Sequence, residues 1–124
     1  MTKTILIADD NDTLRHALSQ TLAHDSFEVC GEAHDGQDAI DKAQQLRPDL
    51  IILDISMPVI NGFDAARTLK QRFPSVPIIL YTLHKDRFIE EEARAAGAAA
   101  VVSKSERVSV LMGLAHELLD RNAA

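Results

Sequence analysis

Five residues in this 124-residue chain have side chains suited to phosphoryl and metal chemistry, and each lies just beyond a short apolar run. Asp9 and Asp10 follow the run Thr4–Ala8, Asp54 follows Leu50–Leu53, Thr82 follows Ile78–Tyr81, and Lys104 lies beyond Ala99–Val102 and Ser103. A carboxylate is both a nucleophile toward phosphorus and a hard ligand for Mg2+. A hydroxyl and an ammonium can each stabilise a phosphoryl oxygen. Singly, each residue has a plainer role. Asp9 or Asp10 could cap a helix, Asp54 could make an Asx-turn before Pro58, Thr82 could open a loop, and Lys104 could be a solvated amine. Only a fold that brings all five together separates the two readings.

The pattern around them supplies such a fold. Apolar runs are predicted as strands over Thr4–Ala8, Phe27–Glu32, Leu50–Leu53, Ile78–Tyr81 and Ala99–Val102. Helical spacing fills the gaps. Leu14, Ala17, Leu18, Thr21 and Leu22 share one face, with Asp12 as the expected N-cap. Ala39, Ile40, Ala43 and Leu46 precede Pro48, while Phe63, Ala66, Leu69 and Lys70 lie between Gly62 and Pro74. Ile89, Ala93 and Ala96 lead to Gly97, placed to cap a helix C-terminus, and Val108, Leu111, Ala115, Leu118 and Leu119 form a last helix. Strands that are nearly all apolar belong in a parallel sheet covered on both faces. Right-handed crossovers then make a doubly wound five-stranded α/β sandwich, in which ligands bind beyond the carboxyl ends of the strands. Those ends carry the five residues.

Electrostatics defines what the shared rim needs. Two carboxylates about 4 Å apart repel by about 4 kcal/mol at an effective dielectric of about 20. Three raise one another's pKa unless a cation intervenes. Mg2+ meets this need, because it takes few carboxylates and keeps open positions for phosphate. Three carboxylates, one Mg2+ and one lysine sum to zero charge. In that arrangement Asp54, central in the sheet, is the nucleophile that forms an aspartyl phosphate, and Asp9 and Asp10 hold the metal. Lys104, Thr82 and loop N–H groups would bond the phosphoryl oxygens.

Composition narrows the alternatives. Hydrophobic residues at 46% and charged residues at 26% describe a single globular domain spanning residues 1–124. A net charge of -6 with no basic run argues against nucleic-acid binding by this segment. No apolar stretch reaches the roughly 18 residues of a membrane span, and MTKTILIADD meets acid too early for a signal peptide, so a cytoplasmic location is expected. The one cysteine, Cys30, cannot form an internal disulfide and reads as a packed thiol. His16, His24, His34, His84 and His116 include no i,i+4 pair and no cysteine at zinc spacing.

The stretches ILIADDNDTLR, LIILDISMPVINGFD, IILYT and VVSK resemble the receiver domain of two-component response regulators, the CheY-like module with a flavodoxin-like (βα)5 fold. The match runs from Lys3 to about Leu119. It implies strand order 2-1-3-4-5. It implies a phosphoryl group donated to Asp54 by a sensor histidine kinase or a histidine phosphotransfer protein. It also implies Mg2+ held by Asp10, Asp54 and the backbone carbonyl of Ser56, with Asp9 acting largely through water. Thr82 and Lys104 would contact the phosphoryl group and reshape the surface of the fourth helix, fifth strand and fifth helix, where an output partner or a second copy would bind. AGAAAVVSKSE is similar to receivers attached to LuxR-type DNA-binding domains. No helix-turn-helix follows Arg121, so the expectation is a stand-alone regulator or a piece of a longer one.

Two positions depart from the family pattern. Val101 stands where many members carry an aromatic residue, so a rotating ring there cannot report a shift of Thr82. Tyr81 is no substitute, since strand alternation points it away from the Thr82 side. Ser105 follows Lys104 where many members have proline after a cis bond. Cis geometry before a non-proline costs about 3 kcal/mol, so the bond is either trans or strained. Ser56 and His84, each two residues past a motif residue, are expected to flank the mouth through which water reaches Asp54 and to tune dephosphorylation. The main alternative is a Mg-dependent phosphohydrolase working through an aspartyl phosphate. It lacks a general acid, since Ser56 occupies the position two residues past Asp54 where such phosphatases place an Asp. A flavodoxin-like cofactor binder is disfavoured by few aromatic residues and no Gly-rich phosphate loop. A receiver working by contacts alone is disfavoured by the complete acidic and lysine set.

Overall fold

The structure, a computed structural model, describes residues 2–122. Among the described residues strands and helices alternate strictly: β1 (Thr4–Ala8), α1 (Asp12–Asp25), β2 (Glu28–Ala33), α2 (Gly36–Leu46), β3 (Leu50–Asp54), α3 (Gly62–Arg72), β4 (Ile78–Thr82), α4 (Arg87–Ala95), β5 (Ala100–Ser103) and α5 (Val108–Asn122). The strands pair in parallel in the order β2-β1-β3-β4-β5. That is the doubly wound α/β sandwich expected from the near-continuous apolar runs, in the order the resemblance implies. Every residue of β3 is buried, which suits the middle strand of a sheet covered on both faces.

Strand alternation divides the core into two layers. Ile5, Ile7, Leu50, Ile52, Ile79 and Val102 pack with Leu22 of α1 and with Leu111, Ala115 and Leu119 of α5. Leu6, Ala8, Ile51, Leu53, Ile78 and Leu80 pack on the other face against small residues of the remaining helices: Ala39 and Ala43 of α2, Ala65 and Ala66 of α3, and Ala93 of α4. Alanine at those contacts lets the helices approach closely. A Leu-to-Ala change at a fully buried strand position such as Leu53 removes about 2–5 kcal/mol.

Several local expectations are corrected. Asn11, not Asp12, caps α1: its side-chain oxygen accepts the Leu14 N–H at 3.1 Å, and Asp12 sits in the first turn. The cause is a tight turn in which Asp9 Oδ1 accepts the Asn11 N–H at 2.9 Å, leaving Asn11 extended at the cap. The inward face of α1 is also rotated from the expected one. Leu14 is 47% exposed and Ala17 is exposed, whereas Arg15 and Leu22 are buried and Leu18 is half-buried. Leu46 is likewise exposed, because α2 ends there and Arg47 turns into the left-handed region at φ 50°. Strands β2 and β5 each lie one residue later than expected, and Asp54 and Thr82 are the last residues of their strands. Gly97, at φ 91°, follows the α4 cap as predicted.

Candidate functional site

The register of the sheet decides which strand ends meet. Ala8 pairs with Leu53, Asp54 with Tyr81, and Thr82 with Ser103, so the ends of β1, β3, β4 and β5 finish at one level. Asp9, Asp54 and Lys104 then lie on the α1/α5 side, in phase with Ile7, Ile52 and Val102. Asp9 and Asp54 are buried, while Asp10 is exposed. One carboxylate oxygen from each of the three lies within 4.8 Å of the other two. In an octahedral shell with Mg–O near 2.1 Å, neighbouring ligands stand about 3 Å apart and opposite ones about 4.2 Å. The donor set and its span therefore fit a Mg2+ ion with small adjustments.

Lys104 stands among these acids. Its Nζ donates to Asp9 Oδ2 at 2.7 Å and lies 3.5 Å from Asp54 Oδ1. Burial alone would depress the lysine, but the hydrogen bond to Asp9 and the charges of Asp54 and Asp9 hold its pKa above the ordinary value. Asp54 moves up as well, to about 6 from 3.8. Burial is the main cause and the charge of Asp9 adds to it; together they outweigh the opposing charge of Lys104 and the N–H donated by Ser56. The raised Asp54 is thus first a consequence of burial, to which the neighbouring acids add. At neutral pH Asp54 remains mainly ionised.

The other predicted positions gather on the same rim. Thr82 is buried; its Oγ1 accepts the His84 N–H at 3.3 Å, and its carbonyl accepts the Lys104 N–H at 2.7 Å. That second bond links the ends of β4 and β5 through backbone. Val101 is half-buried on the α4 side and packs against the core there. Tyr81 points the opposite way, its ring 5.9 Å from Lys104 Nζ, as strand alternation implied. Ser56 and His84 are both exposed. Among the described residues no peptide bond is cis, so Lys104–Ser105 is trans. Gly62 opens α3 against the end of β3. A Cβ there would stand 2.3 Å from the Asp54 carbonyl oxygen, so this approach requires glycine.

Two features escaped the sequence reading. Arg15 is buried and donates from Nη1 to the Asp9 carbonyl at 2.8 Å and from Nε to Glu32 at 2.8 Å. Its signal was present: Arg15 is spaced with Leu18 and Leu22, a charge on an apolar helical stripe. A cleft of about 290 Å³ also opens beside Asp9 and Lys104, walled by Leu14, Leu18, Tyr81 and Val108. It forms only when α1 meets α5, which no local pattern encodes.

This geometry has close counterparts. Residues 5–116 match the family model described as "Response regulator receiver domain". The chain is 38% identical over 108 residues to the transcriptional regulatory protein PdtaR of Mycobacterium tuberculosis, covering 87% of this chain and 52% of that protein. It is 36% identical over 101 residues to the transcriptional regulatory protein LnrK of Bacillus subtilis, covering 81% and 46%. The chain thus spans about half the length of these relatives. Among solved structures, a LuxR-family two-component response regulator from Aurantimonas sp. SI85-9A1 superposes with a TM-score of 0.92 at 25% identity, covering 97% of this chain and 86% of that one. The chemotaxis protein CheY4 of Vibrio cholerae gives 0.89 at 29% identity, covering 95% and 99%. With the family model covering most of its length, the chain belongs to the response regulator receiver family.

Proposed function

We propose that the chain, as one receiver domain over residues 1–124, is a phosphorylation-controlled switch whose acceptor is Asp54. The observation that carries this reading is the convergence of Asp9, Asp10 and Asp54 oxygens within 4.8 Å, with Lys104 Nζ 2.7 Å from one acid and 3.5 Å from another. In the reaction, an Asp54 carboxylate oxygen attacks the phosphorus of a phosphohistidine presented by a sensor kinase or phosphotransfer protein. The P–N bond breaks, and the imidazole leaves with its electron pair. Lys104 pairs with a phosphoryl oxygen, exchanging a carboxylate partner for the incoming group. Thr82 Oγ1 gives up the His84 N–H and donates its own proton to a second oxygen. Asp9, Asp10, Asp54 and the Ser56 carbonyl would hold Mg2+, which supplies charge neutralisation on the transferring group when bound.

A shift of Thr82 then pulls on the Lys104 backbone through the bond between them, and on the packing around Val101. This reshapes the α4–β5–α5 surface that an output partner or a second copy would read. Ser56 and His84, exposed at the rim, set how readily water reaches the phosphoryl group. The acidic chain makes no direct nucleic-acid contact in this scheme and works in the cytoplasm. None of the helices among the described residues is long and apolar enough to cross a membrane.

The test is intact-mass analysis after incubation with Mg2+ and a small acyl phosphate. A single labile phosphoryl adduct is expected, absent with EDTA and absent in Asp54→Asn. An adduct that persists in that variant would overturn the assignment. Rapid multiple turnover of unrelated phosphate esters would instead identify a phosphohydrolase.

A further inference from the structure

Arg15 is a charged residue on the buried face of α1, only 8% exposed. Withdrawing a guanidinium from water costs several kcal/mol unless its N–H groups are met. Here Nη1 donates to the Asp9 carbonyl oxygen and meets Asp12 Oδ1, and Nε donates to Glu32 Oε1, each at 2.8 Å. Glu32 is itself braced on edge strand β2. His16 Nδ1 lies 3.0 Å from the same carboxylate oxygen, and Lys42 donates to the Glu32 main-chain carbonyl. The plain account is a staple between helix and sheet. The identity of the acceptor points further, because the Asp9 carbonyl belongs to the peptide joining the two adjacent acids.

That peptide is a rigid plane, so fixing its oxygen fixes the direction in which the chain continues into Asp10. The rest of Asp9 is already tied down. Its N–H donates to the Ala33 carbonyl at 3.0 Å, Oδ1 accepts from Asn11, and Oδ2 accepts from Lys104. Arg15 holds the remaining polar atom. We infer that Arg15, braced by Glu32, is a positioning residue that aims the Asp9–Asp10 peptide and thereby sets how tightly the acid pair holds a divalent cation. This rests on the phosphoacceptor reading above. Electrostatics alone gives the opposite sign, since deleting a positive charge near the acids would tighten cation binding.

The full chain is titrated with Mg2+ alone, without phosphodonor, by calorimetry and by the fluorescence of Tyr81, the only tyrosine in a chain without tryptophan. Arg15→Met, Arg15→Lys and Glu32→Gln are compared, each with its thermal unfolding in EDTA. The expected result is Mg2+ binding weakened about 10- to 100-fold in Arg15→Met, the range for residues that orient metal ligands. Partial recovery is expected in Arg15→Lys, and a smaller loss in Glu32→Gln. Unchanged or tighter binding in Arg15→Met would overturn the inference, as would a lowered melting temperature with no change in affinity, which marks a purely structural staple. If Arg15→Met does not fold, Glu32→Gln decides, and an affinity equal to that of the unsubstituted chain refutes the positioning role. No Mg2+ uptake by the unsubstituted chain would instead overturn the functional reading, and this inference with it.

Discussion

Replacing Asp54 by asparagine should stabilise the metal-free protein at neutral pH, although it alters the buried end of the central strand. The folded-state pKa of Asp54 is raised from 3.8 to about 6, chiefly by burial and by the neighbouring Asp9. A carboxyl whose folded pKa lies above its unfolded value favours the folded state below the unfolded pKa, and that contribution is lost as pH rises through the folded pKa. A displacement of about 2 units corresponds to about 3 kcal/mol. The carboxyl is little exposed but stands at the open rim of the sheet, so solvent screening makes this an upper figure. Asparagine has the same shape and does not ionise. The stability of Asp54→Asn relative to the unsubstituted chain should therefore grow by about 2–3 kcal/mol between pH 4 and pH 7.5, with most of the change between pH 4 and 6. Urea unfolding in EDTA reads this directly. With m-values of about 1–3 kcal/mol per molar, the relative midpoint moves on the order of 1–3 M. A difference that is flat with pH, or one that falls as pH rises, would refute the account of a carboxylate held at a cost among like charges.

Other outcomes follow from the same geometry. Mg2+ at 100 times its dissociation constant should stabilise the chain by about 2.7 kcal/mol, and Asp10→Asn should lose most of that gain in thermal unfolding while slightly stabilising the metal-free protein, since it removes a charge that repels Asp54. Gly113→Ala should stabilise by about 1 kcal/mol, because this glycine is exposed within α5 and an added Cβ meets nothing within 4 Å. Gly62→Ala should destabilise by about 2 kcal/mol and slow phosphorylation measured by intact mass, because its Cβ would press on the Asp54 carbonyl. Val59, a β-branched residue 78% exposed at φ 69°, is held in a strained left-handed conformation. Val59→Asn should gain about 1 kcal/mol in urea unfolding.

The sequence by itself determined the parallel sandwich, since apolar runs such as Leu50–Leu53 can be buried on both faces only when helices cover both sides. It also determined which residues stand at the strand ends, because a strand stops where a charge or hydroxyl replaces the apolar run. Asp9, Asp10, Asp54, Thr82 and Lys104 were legible for that reason. Boundaries were less legible: Asn11 took the cap because a bond from its N–H to Asp9 shaped the preceding turn. The inward face of α1 was misread because Leu14 and Ala17 look like core residues while Arg15 does not. Only the assembled sheet showed that the charge is the buried one, since its partners lie just past the end of β1 and on β2. The tertiary structure likewise decided the pairing of Lys104 with Asp9, 95 residues away, and the upward shift of Asp54. Distances between side chains on separate strands, and the dielectric around them, exist only once the strands are in register, so no local pattern carries them.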